Sequence, residues 1–542
     1  MVFDNKLTKK MKFKDLTKAV LTAVMILSVG SIYSQNNNSG ELNSSLTKFA
    51  QTIYYINSYY LDTVNNQKLI DEAISKAVSQ LDPHSSYISA KDVKAMNEPL
   101  EGNFEGVGIE FSIVKDTLSV VNPIPGGPCE RVGIRAGDKI VKIDSDNLSE
   151  SKVTNEKVFK LLRGPKGTKV RLFIKRKGVK DILEFEVTRD KIPINSLDAA
   201  YTVNNDIIYL KLSRFAATSY QEILSALAKL NVASPKGIIL DLRGNTGGFL
   251  GTAFEISNMF LEKGQTIVYT EGLRVPRMSE RATGSGMFVK TPLAVLLDEN
   301  SASASEIVAG SIQDWDRGVV IGRRSFGKGL VQQMFPLSDG AQLRLTIARY
   351  HTPSGRVIQS PYEQGEITKY YQALYKRYTN GEMFSADSVK FPDSLKYKTL
   401  VKGRTVYGGG GIMPDIFIPA DTSGYSEYYA NIVRKGILAE FMNDKADSQR
   451  EQWKREYPTY EVFDKNFNLV NQYVSELISF ADKKGVKPNE KEIENSRFEI
   501  ELLIKALTAR TIFGSEAYYK VVNSKGDKVF ERALKELTSS KR

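Results

Sequence analysis

The chain has 542 residues, enough for roughly three or four domains that each bury a core. Hydrophobic residues make up 41% and charged residues 25%, which excludes a wholly disordered chain. One cysteine (Cys129) and two histidines (His84 and His351) exclude a disulfide framework, a cysteine zinc site and a CxxC redox pair. We therefore expect no metal and no cofactor, and few residues are available for a Ser-His-Asp triad.

Residues 1–34 carry a basic head followed by an apolar run of 15 residues, Ala19–Tyr33. This run is short for a bilayer-spanning helix and is typical of a secretory signal. An uncleaved anchor is the alternative, because the bulky Ile32 precedes the small Ser34 at a cleavage point that prefers small residues. We expect export to the periplasm or to the outer face of the inner membrane, with membrane contact only through this segment if it is uncleaved.

The formal net charge of +12 is not evidence for a nucleic-acid partner. The leading segment holds six lysines and two aspartates, so the remaining chain keeps a net charge of +8. Its basic residues are dispersed among acids rather than gathered on one stretch.

Residues 35–100 are predicted to be helical, because apolar residues recur at helical spacing before the turn Leu81-Asp82-Pro83-His84. In residues 101–190, apolar residues alternate with other residues at a period of two. This pattern predicts a small β-rich module, with a helix near 155–162. Residues 191–420 alternate strand and helix signals, which favours an α/β core. Residues 421–542 are helical and highly charged, and we interpret them as a solvated extension.

The segment Ser301-Ala-Ser-Ala-Ser-Glu306 lies between a predicted strand and a predicted helix. A nucleophilic serine is best exposed at such a turn, where backbone N–H groups can hold an oxyanion. The spacing of Ser303 and Glu306 is also that of a capping box, the ordinary start of a helix. The two interpretations are compatible.

The segment Gly322 to Gly329 matches most of a phosphate-binding loop, but Gly329 stands where Ser or Thr would bind magnesium, and the following residues predict a strand. Two other interpretations are a glycine-rich turn and a loop that carries a lysine base. A serine needs a base, and a buried lysine with a lowered pKa replaces histidine in Ser-Lys arrangements. Lys328 is the candidate, and Gln332 four residues on is placed to orient its amine.

Taken together, these segments resemble the C-terminal processing (tail-specific) serine proteases that carry a PDZ domain, over about residues 45–420. Four stretches carry the resemblance: Ser301-Ala-Ser-Ala-Ser-Glu306, Phe326-Gly-Lys-Gly-Leu-Val-Gln332, Asp241-Leu-Arg-Gly-Asn-Thr-Gly-Gly248, and Thr352-Pro-Ser-Gly-Arg356 with Gly411-Ile-Met-Pro-Asp415. The family's 25-residue Ser-Lys spacing picks Ser303 rather than Ser301 or Ser305 as nucleophile. Lys328 is then the base and Gln332 its support.

The resemblance also implies an oxyanion hole made by backbone N–H groups of Ala304, Gly247 and Gly248. The alternative is that these glycines merely permit a tight turn. Arg243, in the same segment, is interpreted as tying that loop down.

The β-rich module resembles a PDZ domain, with a carboxylate-binding loop at Gly106, Val107, Gly108 and Ile109. Such a domain binds an extended C-terminus by strand addition. Arg163 is a candidate for sensing the carboxylate or coupling the groove to the core, with a surface ion pair as the alternative.

The predicted fold is therefore a multidomain α/β protein: a helical N-terminal segment, a PDZ-like module, an α/β protease core of the tail-specific type and a helical C-terminal extension. Residues 360–401 depart from the family as an insertion, interpreted as a tolerated loop, with a lid or partner surface as alternatives. The expected partners are proteins or peptides with accessible C-termini, and an adaptor or self-association stays open. A non-catalytic PDZ scaffold on a protease-like fold is the alternative function.

Overall fold

A computed structural model describes residues 39–114, 116–148 and 153–539. The predicted secretory segment, residues 1–34, lies outside the described residues. Within the described ranges, no helix has the length and apolar character needed to cross a membrane. The chain divides into two compact units, one ending at Ile74 and one beginning at Ser75.

The N-terminal segment is helical, as its periodicity predicts. It contains α1 (Ser39–Tyr59) and α2 (Asn66–Val78). After α2, a carboxylate oxygen of Asp82 accepts the N–H groups of His84 and Ser85 at 2.8 and 2.9 Å, an aspartate turn that redirects the chain. The short strand β1 (Ser86–Ile88) and α3 (Ala90–Glu101) follow.

The β-rich module runs from residue 103 to residue 193. Its strands are β2 (Asn103–Gly106), β3 (Ile109–Val114), β4 (Thr117–Pro123), β5 (Lys139–Ile143), β6 (Asp146–Asn147), β7 (Lys169–Lys175), β8 (Leu183–Thr188) and β9 (Asp190–Pro193). Its helices are α4 (Pro128–Arg131) and α5 (Asn155–Leu162). The main sheet has the order β3-β4-β5-β7-β8, so β3 is an edge strand with one side open to pairing.

The next part of the chain, to residue 417, holds twelve strands and four helices among its described residues. The strands are β10 (Leu197–Val203), β11 (Ile207–Leu212), β12 (Gly237–Asp241), β13 (Thr266–Glu271), β14 (Met278–Arg281), β15 (Leu293–Leu297), β16 (Val319–Gly322), β17 (Leu330–Pro336), β18 (Gln342–His351), β19 (Lys396–Lys398), β20 (Thr405–Tyr407) and β21 (Ile416–Phe417). The helices are α6 (Ser219–Leu230), α7 (Leu250–Asn258), α8 (Ala304–Asp314) and α9 (Ile367–Thr379).

The central sheet has the order β10-β11-β12-β15-β16-β21 and is parallel except for the β10–β11 pair. Strands β11, β12 and β15 are buried along their whole length, which is typical of parallel strands covered on both faces. On one face, Leu210, Leu240 and Val295 share a hydrophobic core with α6, α7 and α8. The α/β core predicted from the alternating pattern is confirmed.

A second sheet, in the order β1-β18-β13-β14 with β17 also paired to β18, lies beside the central one. Strand β1 brings the turn at Asp82 to this sheet, since Ser86 pairs with Arg344 of β18. The β17–β18 ladder has a bulge between Val331 and Gln332. This hairpin holds the segment that follows Lys328.

The C-terminal region contains eight described helices. They are α10 (Glu427–Arg434), α11 (Ile437–Glu456), α12 (Tyr460–Asn466), α13 (Val470–Lys483), α14 (Glu490–Asn495), α15 (Arg497–Phe513), α16 (Ser515–Ser524) and α17 (Lys528–Ser539). Helices α10 to α16 share their own hydrophobic core. Helix α17 instead packs Val529, Phe530 and Leu537 on the second face of the central sheet, against Tyr209, Ile239 and Leu296.

The interpretation of residues 421–542 as a merely solvated extension is therefore wrong in one respect. The outer charges are solvated, but α17 completes the core of the central sheet. Charged residues alternate with apolar ones in the sequence of this helix, and its four buried apolar residues form one stripe.

Candidate active site

Ser303 stands at the turn between β15 and α8, where it caps the helix. Its backbone has φ +57° and ψ −111°, a conformation that non-glycine residues rarely adopt. Strained turns of this kind expose a nucleophile between a strand and a helix. Ser303 is half-buried, unlike its two neighbouring serines.

The two neighbouring serines are held inside the protein. Ser301 and Ser305 are both fully buried. The hydroxyl of Ser301 donates to Leu242 O at 2.9 Å, and that of Ser305 donates to Asn245 O at 2.9 Å. Of the three serines in the motif, Ser303 is the one that is not fully buried, and its role as nucleophile stays a prediction.

Glu306 joins the helix start to the loop that carries Lys328. This fully buried carboxylate accepts four hydrogen bonds. One oxygen accepts the backbone N–H groups of Ser303 at 2.7 Å and Lys328 at 2.9 Å. The other accepts the Ser325 hydroxyl at 2.6 Å and the Gly327 N–H at 2.7 Å. The capping interaction expected from the Ser303–Glu306 spacing is thus part of a larger arrangement that binds nucleophile and base segments together.

Burial raises the pKa of Glu306 to about 7, while the hydroxyl and N–H donors around it act in the opposite direction.

Tyr350 makes a second connection between the same two segments. Its hydroxyl lies 3.2 Å from Ser303 O and also contacts Lys328 O. The backbones of Ser303 and Lys328 are therefore fixed relative to each other on two sides.

Lys328 sits in a closely packed loop, as its flanking glycines predict. A Cβ on Gly327 would lie 2.2 Å from Ser360 Oγ and 3.0 Å from Gly411 N, and Gly327 has φ +93°. Burial lowers the pKa of Lys328, and the positive charge of Arg344 lowers it further, whereas Glu306 and Asp82 act in the opposite direction. A lowered pKa increases the fraction of neutral amine at working pH, which a base requires.

Gln332 lies near Lys328 in the chain, but its recorded contacts go elsewhere. Its amide N–H donates to Leu330 O at 3.2 Å and faces the Thr346 hydroxyl at 3.4 Å. Lys328 lies before the first residue of β17, so strand alternation does not place its side chain on the same side as that of Gln332. The orientation of the amine by Gln332 stays a prediction.

The glycines of the Asp241–Gly248 segment approach the nucleophile directly. A Cβ on Gly247 would lie 2.8 Å from Ser303 Cβ and 3.1 Å from Ala304 N. The Gly247 N–H is already bonded to Asn245 Oδ1 at 2.9 Å, so it is not available to an oxyanion. The Phe215 N–H donates to Gly247 O, and Phe215 O accepts the Phe249 N–H. In this parallel bridge, the Gly248 N–H points away from Phe215.

Among the described residues, no acceptor is recorded for the N–H groups of Ala304 or Gly248. The geometry therefore favours Gly248 and Ala304 as oxyanion donors and removes Gly247 from the predicted set. Gly247 keeps a different role, since any side chain there would collide with the nucleophile turn.

Arg243 anchors the same loop from the other end, as predicted. It forms a bidentate ion pair with the buried Asp241, whose oxygens also accept the Tyr209 hydroxyl at 2.8 Å. Burial raises the pKa of Asp241, but Arg243 and Lys211 overcome this effect and hold it below its usual range. Arg243 also pairs with Asp527, just before α17, at 2.8 Å. The C-terminal helix is thereby tied to the loop that carries Gly248.

The predicted carboxylate-binding loop of the β-rich module is compact. Gly106, Val107, Gly108 and Ile109 are all buried between β2 and the edge strand β3. The carbonyl oxygens of Val107 and Gly108 accept N–H groups of Cys129 and Ile124, both at 3.0 Å. Cys129 is fully buried, and burial raises its thiol pKa to about 12, so it is a packed residue.

Arg163 is more than a surface ion pair. Its guanidinium donates to the buried Glu98 of α3 at 2.5 Å and lies over the rings of Phe104 and Phe159 at 5.2 and 5.0 Å. It therefore connects the end of α5 with α3, which favours coupling between the module and the rest of the chain.

The two histidines are both packed against aromatic side chains. Burial lowers the pKa of His84 to about 4, helped by Lys328, and its ring lies edge-on to Tyr370 at 5.7 Å. His351 stacks on Tyr269 at 4.5 Å and pairs with Glu271 at 3.3 Å. In the described part of the chain, no cluster of three or more metal-ligating residues occurs.

Sequence reasoning missed Asp82, Tyr350 and Arg377 around this site. Asp82 accepts the Thr346 hydroxyl at 3.0 Å and acts on the charge of Lys328. The turn Leu81–His84 was considered only as the end of a helix. Its isolated Asp-Pro-His was the one signal that could have pointed to the site.

Three segments of the chain match known families. Residues 206–367 match Peptidase family S41, residues 119–176 match a PDZ domain, and residues 428–514 match a family of unknown function, DUF8443. The insertion begins within the last residues of the S41 match. Most of its length lies beyond that match.

Relatives named as proteases agree with these matches. The Carboxy-terminal-processing protease of Bartonella bacilliformis is 38% identical over 344 residues, covering 62% of this chain and 78% of that protein. The Carboxy-terminal processing protease CtpA of Bacillus subtilis is 32% identical over 405 residues, covering 72% and 85%. The solved Photosystem II D1 C-terminal processing protease is 29% identical, with a TM-score of 0.32, over 57% and 83%. The sequence resemblance is confirmed.

Proposed function

The chain belongs to peptidase family S41, and from this membership we propose that it is an exported serine endopeptidase that recognises C-terminal tails and cleaves with a Ser303–Lys328 dyad. The observation that carries the proposal is the shared carboxylate oxygen of Glu306. It accepts N–H groups from the nucleophile and from the base, so the two segments form one unit around a fixed point.

The proposed reaction begins when the Ser303 hydroxyl attacks a peptide carbonyl carbon. Neutral Lys328 takes the hydroxyl proton as the bond forms, and the carbonyl oxygen becomes an oxyanion. The N–H groups of Ala304 and Gly248 donate to that oxyanion. Lys328 then gives its proton to the leaving amine, which leaves an acyl group on Ser303. Water, deprotonated by the same lysine, hydrolyses the ester and restores the hydroxyl.

The β-rich module supplies the tail specificity in this proposal. Edge strand β3 accepts the tail as an added antiparallel strand, and the loop from Gly106 to Ile109 receives the terminal carboxylate. Phe159 of α5 is exposed beside Phe111 of β3, with ring centroids 5.3 Å apart. This aromatic pair supports an apolar pocket for the last side chain of the tail.

Export is proposed on the sequence of residues 1–34 alone, with the periplasm or the outer face of the inner membrane as the destination. The test is fractionation of cells that express the full chain, with N-terminal sequencing of the mature product. A start after Ser34 supports a cleaved signal, and an intact N-terminus in the membrane fraction supports the anchor. Full-length protein in the cytoplasmic fraction contradicts export.

The catalytic proposal is tested with a protein substrate that ends in an unstructured apolar tail. The parent protein is expected to degrade it, and Ser303→Ala and Lys328→Ala are expected to reduce turnover by at least about 10³-fold. Ser301→Ala serves as the matched control, since its hydroxyl is buried. Cleavage by Ser303→Ala at the parental rate contradicts the dyad. Tail binding without cleavage by the parent favours the scaffold.

A further inference from the structure

The inserted segment contacts the loop that carries the proposed base. Helix α9 lies within it and places Arg377, which is 6% exposed, against the backbone of residues 324–326. The guanidinium donates to Arg324 O at 2.8 Å, Ser325 O at 3.0 Å and Phe326 O at 3.3 Å. One side chain thus holds three successive carbonyl groups immediately before Gly327 and Lys328.

Glu382, three residues after the end of α9, secures this guanidinium. It is 2% exposed and accepts from Arg377 Nε at 2.8 Å. It also accepts the fork of Arg324 at 2.7 and 2.6 Å. Two arginines on one buried carboxylate form a rigid, geometrically specific network. The network also reaches the segment after β20, because Arg324 donates to Gly410 O at 2.8 Å.

The same face of α9, two turns before Arg377, reaches the turn at residues 82–85. Tyr370 is buried and lies edge-on to His84, with its hydroxyl 3.4 Å from His84 Nε2. Helix α9 therefore bridges the Arg324–Phe326 loop and the Asp82–Ser85 turn. A tolerated surface loop would make no such buried polar contacts on two separate segments.

We propose that Arg377 is a positioning residue for Lys328, through which the inserted segment fixes the base relative to Ser303. This inference rests on the proposed Ser-Lys function. Arg377 holds the carbonyl side of residues 324–326, and Glu306 holds the N–H side of residues 327 and 328. Because hydrogen bonds hold both its carbonyl groups and its N–H groups, the backbone of the loop is fixed in one conformation. Without Arg377, the carbonyl side is released and the amine is free to move away from the nucleophile and toward water.

The variants are Arg377→Ala and Arg377→Lys, with Lys376→Ala as the matched control, since Lys376 is exposed on the same helix. A serine-reactive fluorophosphonate titrates active sites, so that turnover is expressed per functional site. The lysine variant keeps the charge but lacks the fork that reaches three carbonyls. Melting temperature is measured alongside to report folding separately.

For Arg377→Ala we expect kcat per titrated site to fall by about 10²-fold with KM within twofold of the parent. The kcat of Arg377→Lys is expected to lie between the values of Arg377→Ala and the parent. The kcat of Lys376→Ala is expected to match that of the parent. We also expect the rising limb of the pH profile to move to higher pH, as Lys328 gains water. The charged and titratable groups that act on Lys328 are Arg344 of β18, Glu306 of α8, and Asp82 and His84 of the preceding turn.

Parental kcat per site together with a parental pH profile in Arg377→Ala would overturn the proposal, whatever the melting temperature. If Arg377→Ala does not fold, the same result in Arg377→Lys overturns it. A parent protein that neither reacts with the probe nor cleaves a tailed substrate overturns the dyad and this proposal together. An active parent with unaffected Arg377 variants overturns the positioning role alone.

Discussion

The backbone N–H groups of Ser303 and Lys328 donate to the same oxygen of Glu306, at 2.7 and 2.9 Å. This relationship connects two segments that are 25 positions apart in the chain through one buried carboxylate. It shows that the capping interaction at Ser303 is compatible with the catalytic role proposed for that residue. The acid that begins α8 also sets the position of the base loop.

Glu306→Gln is expected to lower kcat by about 10²-fold, because displacement of a catalytic group by a small distance has effects of this size. Glutamine has one acceptor oxygen and would turn its NH₂ toward two of the four donors. Leaving buried donors unpaired also lowers the free energy of unfolding by about 1–3 kcal/mol. Steady-state cleavage and denaturant unfolding measure the two effects.

Glu255→Gln on the neighbouring helix α7 is the control, because that carboxylate is exposed. It is expected to leave both measurements unchanged. Parental kcat in Glu306→Gln would show that the shared carboxylate does not position the dyad.

Lys328→Met is expected to abolish cleavage and to stabilise the protein at pH 7. Burial lowers the pKa of Lys328 in the folded state, so the protonated amine destabilises the fold below that pKa. This destabilisation fades as pH rises through the folded-state pKa and vanishes at the unfolded value of about 10.4. The stability gain of the methionine variant should therefore shrink between pH 7 and pH 10.

Melting curves of parent and Lys328→Met across this range give the difference directly. A gain that is absent at pH 7, or that grows with pH, would contradict a lowered pKa. In the active parent, kcat/KM should rise with pH along a limb that lies below the ordinary lysine value.

Asp527→Asn is expected to weaken the attachment of the Gly248 loop to the start of α17, because it removes the ion pair with Arg243 at 2.8 Å. Asparagine keeps the cap of α17, because one side-chain oxygen still accepts from Val529 and Phe530 N–H. Asp527→Ala loses both and should be less stable by a further ~1 kcal/mol.

Thermal unfolding separates the two contributions, and cleavage per titrated site reports the effect on the loop. Asp527→Asn should retain most of its stability and lose activity several-fold. Equal activity in Asp527→Asn and the parent would mean that α17 supports the sheet without influencing the oxyanion loop.

A peptide with a free C-terminal carboxylate is expected to bind the protein at least about 10-fold more tightly than the same peptide with a C-terminal amide. Fluorescence anisotropy on Ser303→Ala measures binding without cleavage. Phe159→Ala should weaken binding of the free-acid peptide, because in the proposed complex Phe159 and Phe111 face the added strand. Equal affinity for acid and amide would contradict carboxylate recognition by the loop at Gly106–Ile109.

The inner strands of the central sheet could be predicted because they are short apolar runs that are buried on both faces. Leu293–Leu297 and Ile207–Leu212 were predicted with the bounds that the structure has. Strand β14 was missed because all four of its residues are exposed and carry no hydrophobic period. Its position is set by pairing with β13, a tertiary effect.

The candidate site divides in the same way. Ser303 and Lys328 were found from a motif and its spacing, which are local properties of the chain. Arg377 and Asp527 reach the site from partners 52 and 284 positions away, and their own neighbours give no chemical pattern. Gly247 was assigned as an oxyanion donor because sequence cannot show that Asn245 already occupies its N–H.

The pairing of nucleophile and base is tested most directly by mapping where a fluorophosphonate probe reacts. After digestion and mass spectrometry, we expect one adduct, on Ser303, formed at a rate that rises with pH and falls at least about 10²-fold in Lys328→Ala. An adduct on Ser301 or Ser305, or equal labelling of Ser303 in the parent and Lys328→Ala, would contradict the Ser303–Lys328 dyad.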